Sequence, residues 1–182
     1  MLLNYSLNKI KEQFKILDMR FLTLFLLLNT SLFAQEGVWY KDMTVALANP
    51  DSVFQLQLKR KGLNAFPSEL SQFPNLQKLD LSKNKIGAFP DTLNHLINLT
   101  FLDISRNKIA SIPASICQLI FLEHLDLWHN DVDALPYQIS ELHHLNYLDI
   151  RGVSMSHGDY GKYKELMKGV DFYMSEPCDC QD

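Results

Sequence analysis

Four aspartates, Asp80, Asp103, Asp126 and Asp149, recur at intervals of 23 residues. Carboxylates repeated along one column repel one another and would welcome a counterion such as calcium. A second column, Arg60, Lys83, Arg106 and His129, runs beside them and can supply that positive charge without a metal, so no metal site is expected. The six histidines show no ligand spacing, and the adjacent His143 and His144 cannot share one face of a helix or strand. Of three cysteines, Cys178 and Cys180 stand too close for an unstrained mutual disulfide, and no second pair completes a metal site. No nucleophile elbow, phosphate loop, zinc-protease motif or dinucleotide fingerprint is present. Neither catalysis nor a cofactor is therefore expected.

Binding is a better use of these residues. Phe101, His124 and Tyr147 fall in one column, Trp128 and Arg151 in another, and His129 beside them. Aromatics grouped on a rigid surface are the usual composition of an interface hot spot, unless they cover one another or pack beneath a cap.

Such columns need an element that repeats. The stretch from Leu76 to Asn98 restarts at Leu99, Leu122 and Leu145, and reads back to Val53. Within each unit two apolar residues stand two apart: Leu79 and Leu81, Leu102 and Ile104, Leu125 and Leu127, Leu148 and Ile150. Both members leave the same face of a short strand and point inward, while the residues between them point out. Ile86, Ile109 and Val132 follow and return to the core. Pairs three apart, Leu93 and Leu96, Ile116 and Leu119, Ile139 and Leu142, suit a helical or 3-10 face on the far side. Asn84, Asn107 and Asn130 stand where the chain leaves the strand, and their side chains are expected to bind the backbone of that bend and of the next coil. Pro67, Pro90, Pro113 and Pro136 fix φ where the outer segment begins.

This pattern, L-x-x-L-x-L-x-x-N-x-I followed by an apolar-Pro pair, resembles the leucine-rich repeat, in its typical 23-residue form as in Ras-group and scribble-like proteins. The resemblance covers residues 53–155. It implies an α/β repeat solenoid, a horseshoe fragment with short parallel strands on the concave face and irregular or 3-10 segments on the convex face. An Asp between the two strand leucines is ordinary in that pattern, which weighs further against a cation site.

The ends depart from the repeat. Arg20, the apolar run from Phe21 to Leu28 and the small Ala34 have the layout of a secretory signal peptide, with a start at Met19. Residues 1–34 are thus read as an extension plus signal of bacterial exported type. Their removal deletes four basic and two acidic residues and moves the net charge from −4 to −6, which argues against nucleic acid as partner. Residues 35–52 read as an N-terminal cap, with Asp42 capping a short helix through Met43 to Leu47 and Trp39 and Tyr40 packed beside it. The repeats divide as 53–75, 76–98, 99–121, 122–144 and a partial 145–155. Residues 156–182 read as a C-terminal cap and tail, with a helix over 160–168 and a last strand over 170–174.

The expected function is non-catalytic: an exported module that binds a protein or peptide on its concave face. Phe101, His124, Trp128, His129 and Tyr147 would anchor the partner, and Asp80, Asp103, Asp126, Asp149, Arg106 and Arg151 would orient it. A structural, envelope-associated scaffold without a specific ligand is one alternative. A cytoplasmic Ras-group-like regulator is another, should the N-terminus not be a signal. No membrane contact beyond the signal is implied, and the oligomeric state is open.

Overall fold

The structure, a computed structural model, describes residues 37–90, 93, 95–153 and 157–173. The chain divides after Gly37, and the fold below is that of the second unit, Val38–Asp182. The expected signal, its expected cleavage point and the expected start at Met19, together with Cys178 and Cys180, all lie outside the described residues.

Each repeat contributes one short strand centred on the first leucine of its inward-facing pair, and a strand off the repeat is added at either end. β1 (Trp39–Tyr40), β2 (Gln55–Gln57), β3 (Lys78–Asp80), β4 (Phe101–Asp103), β5 (His124–Asp126), β6 (Tyr147–Asp149) and β7 (Asp171–Tyr173) form one parallel sheet in sequence order. From β2 to β6 the register advances by one repeat per strand, so Leu56, Leu79, Leu102, Leu125 and Leu148 lie side by side, all fully buried. Stacking is what removes them from water, since no single coil could cover its own face.

The return path is 3-10 helix at Ser68–Gln72, Ala114–Gln118 and Tyr137–Glu141. Pro67, Pro113 and Pro136 precede these segments with φ between −61° and −71°, as the proline column required. Leu70, Ile116 and Ile139 turn from them into the core, and Leu93 and Leu96 are buried in the second coil.

The asparagines bind backbone, but in the direction opposite to expectation. Asn107 Nδ2 donates to Ile104 O of its own bend (2.8 Å) and Leu81 O of the preceding coil (3.1 Å), while its Oδ1 accepts from Ile86 N (3.0 Å). Asn84 and Asn130 likewise reach back, to Leu58 and Ile104. The side chain leaves the bend toward the preceding coil.

Both ends are covered. α1 (Met43–Leu47) starts at Asp42, whose carboxylate accepts from the Thr44 and Val45 amides as expected. Trp39 and Tyr40 do more than pack beside it: they add strand β1 to the sheet, opposite Gln55 and Leu56. At the other end α2 (His157–Leu166) and the turn after it bury Tyr163 and Met167, and the Tyr163 hydroxyl donates to Leu135 O. No helix among the described residues is long and apolar enough to cross a membrane.

Candidate functional site

The outward residues of the strands form the columns that the period demands. Phe101, His124 and Tyr147 are paired in register across β4, β5 and β6. Strand spacing alone brings such rings into contact. Phe101 stacks on His124 at 4.4 Å between centroids, and His124 on Tyr147 at 4.0 Å and 5°. The row is longer than sequence reasoning reached. Trp39 of β1 meets Phe101 edge-on at 6.3 Å, and Tyr173 of β7 tilts onto Tyr147 at 5.2 Å. Five rings therefore span the sheet face, the three central ones stacked flat side to flat side.

Trp39 and Tyr173 escaped because both lie off the repeat. β1 belongs to no 23-residue unit, and Tyr173 pairs with Asp149 one residue beyond the period. The β-prone run Val38-Trp39-Tyr40 was the available signal for the first.

Trp128 and His129 stand at the exit of β5, their rings 6.1 Å apart. The Arg106 guanidinium lies 4.3 Å over the Trp128 ring, a cation–π contact between successive coils. Arg151 similarly covers Tyr173 at 5.5 Å.

The aspartate column is built differently from its outward reading. Asp80 and Asp149 are buried. Each carboxylate is held by its own strand exit, not by the column of Arg60, Lys83, Arg106 and His129. Asp80 Oδ1 accepts from the Ser82 amide and hydroxyl, and Asp103 Oδ1 repeats this with Ser105. Asp126 accepts from the Trp128 amide. Asp149 takes the Arg151 amide and its guanidinium, the closest ion pair of the face at 2.5 Å. The side chains are thereby turned along the strand to brace the turn.

Electrostatics follow from that packing. Burial, with Asp103 and Asp149 adding repulsion, pushes Asp126 up to about 6. Asp103 rises for the same first reason. Burial, then Asp149 and Asp126, lifts Tyr147 to about 12. Burial between rings lowers His124, against a smaller opposing pull from Asp149. Among the described residues no group of three or more His, Cys, Asp or Glu could hold a metal ion. The site thus offers ring edges, phenol and imidazole tips and a few cations.

The comparisons agree with this architecture. A leucine-rich repeat region family matches residues 56–168, more than half of the chain. No curated protein matches. Solved structures of similar fold include a leucine-rich-repeat protein of Leptospira interrogans, at 25% identity and a TM-score of 0.51 over 77% of this chain and 48% of that one. Two internalins of Listeria monocytogenes are also similar. Internalin C2 has 21% identity and a TM-score of 0.59 over 74% of this chain and 56% of that one. The other internalin has 20% identity and a TM-score of 0.57 over 75% and 40%. This chain spans about half the length of those three. The 23-residue register and the buried asparagines fall within the matched residues, and the chain belongs to the leucine-rich repeat family.

Proposed function

We propose that this protein is an exported, non-catalytic recognition module whose open sheet face binds a protein or peptide. The observation that carries this reading is the row Trp39, Phe101, His124, Tyr147, Tyr173. The central rings cover one another's faces, so such a row on a rigid sheet offers a partner ring edges rather than faces, at little entropic cost, since the rings hold one another in place. Trp128 with Arg106, and Tyr173 with Arg151, extend it with two cation-covered rings. In this reading residues 1–34 are the export signal, 35–52 and 156–182 the caps, and 53–155 the binding repeats.

The test is capture of a partner from host extract and envelope by the protein and by its Trp128→Ala/Tyr173→Ala variant. Neither side chain belongs to the apolar core, and equal denaturation midpoints establish equal folding. A partner held by the first and lost by the second supports the reading. Equal retention, or capture by neither, refutes it in favour of a spacer without a ligand.

A further inference from the structure

The rim beside the sheet face carries a second pattern. Arg60, Lys83, Arg106 and His129 all adopt left-handed backbone, with φ from 54° to 59°. Non-glycine residues there cost about 1 kcal/mol each. The fifth member of the column is Gly152, at φ 75°, so the fold accepts glycine at this point. Each ridge amide is fixed to the next coil: Lys83 N donates to Ser105 O (2.9 Å), and Arg106 N to Trp128 O (2.7 Å). The backbone is thus pinned while three long cationic side chains are thrown outward at a strained position.

Those cations are not alone. Lys59, Lys61, Lys85 and Lys108 join Arg60, Lys83 and Arg106 over three consecutive coils. The ion pairs among the described residues, Arg151 with Asp149 and Lys168 with Glu165, involve none of the seven. The nearby carboxylates of Asp80 and Asp103 are occupied with their own serines. The crowding is felt, because Arg60 first, then burial, Arg106 and Lys59 lower the Lys83 pKa. In a chain of net charge −4 this is a concentrated positive ridge. One coil further the sign reverses, where Asp131 and Asp133 occupy the exit of the fourth repeat.

We infer that the ridge Arg60–Lys83–Arg106 with its flanking lysines docks an acidic protein segment, laid across the first three coils and ending at the Trp128 ring. This rests on the reading of the sheet face as a protein-binding surface and specifies its partner's charge and direction. Successive coils are about 4.8 Å apart, so carboxylates two residues apart in an extended segment, about 6.5 Å, can meet cations of adjacent coils through their flexible side chains. Arg106 already lies on Trp128, which joins the charged end of the track to the aromatic one. The reversal at Asp131 and Asp133 disfavours continuing acidity there and fixes which end of the segment meets which coil.

The probe is a fluorescent peptide of six glutamates followed by a phenylalanine, with a hexalysine-phenylalanine peptide as control. Fluorescence anisotropy is measured with the full chain, with Lys83→Glu/Arg106→Glu, and with Lys162→Glu/Lys164→Glu, which changes net charge equally on α2. Expected are binding of the acidic peptide only, weakening steeply with salt, and a loss on the order of 10-fold or more in the ridge variant against about 2-fold or less in the α2 variant. No binding at low salt, or equal loss in both variants, overturns the inference. So does competition by heparin or duplex DNA at lower concentration than the peptide, which would assign the ridge to another polyanion. A captured host partner lost with Trp128→Ala/Tyr173→Ala but kept by Lys83→Glu/Arg106→Glu would sink the ridge inference alone and leave the sheet-face reading standing.

Discussion

Replacing Asp126 with Asn should stabilise the protein at neutral pH and leave it nearly unchanged in acid. Asp126 sits mid-column between Asp103 and Asp149, half-buried, and its Oδ1 accepts the Trp128 amide at 2.9 Å. Asn retains that acceptor and cannot ionise. The sign follows from linkage. The unfolded chain ionises near 3.8 while the folded one keeps its proton to about 6, so stability declines as pH rises through that window and the full penalty applies above it. The raised value converts to about 3 kcal/mol at about 1.4 kcal/mol per unit, and solvent screening at a half-buried site brings this to about 1–3 kcal/mol. Urea unfolding at pH 7.5 and pH 3.5 measures it. His124, whose pKa is lowered by burial, loses stability on acidification equally in both proteins and drops out of the difference. The expected advantage of the variant is about 1–3 kcal/mol at pH 7.5 and within about 0.5 kcal/mol of zero at pH 3.5. An advantage equal at both pH values, or destabilisation at pH 7.5, would show that the column's charge is not what limits its stability.

Two further outcomes follow from the backbone. Asn107→Ala leaves Ile86 N without its partner in the core and takes one of two asparagine donors from each of Leu81 O and Ile104 O, which keep Asn84 and Asn130, and urea unfolding should register a loss of about 1–3 kcal/mol. At the ridge, Lys83→Gly should stabilise by about 1 kcal/mol, while Gly152→Ala should destabilise by a similar amount, because its new methyl group adopts left-handed backbone 3.5 Å from His129. Thermal denaturation of the two variants checks the opposite signs.

The repeat made most of this fold legible. Leu79 and Leu81 stand two apart and recur with a constant period, and only a stacked parallel sheet buries every copy. The capping role of Asp42 was readable for the same kind of local reason. What sequence could not supply was anything off the period. Trp39 and Tyr173 join the aromatic row through strands whose spacing to their neighbours is not that of a repeat. Nor does spacing reveal which way a polar side chain bends. Asp80 and Asp103 occupy outward positions yet curl onto Ser82 and Ser105, and Asn107 reaches backward. The left-handed conformation at Lys83 and Arg106 is equally silent in sequence, since nothing about lysine or arginine announces it.

The asparagine ladder also gives the chain an order of assembly. Asn84 accepts from the Lys61 and Leu63 amides of the coil before it, and Asn107 does the same for Ile86. A coil leaving the ribosome is therefore unfinished until its successor arrives to close it. Each new repeat seals the last, and the growing solenoid advances from its N-terminal end like a zipper whose teeth engage only backward. At the fifth coil Val153 replaces the asparagine, and the Tyr163 hydroxyl on Leu135 O makes the closing contact instead. A nascent chain stalled before α2 would hold three finished coils and one open end, a species that a protease should trim from that end alone.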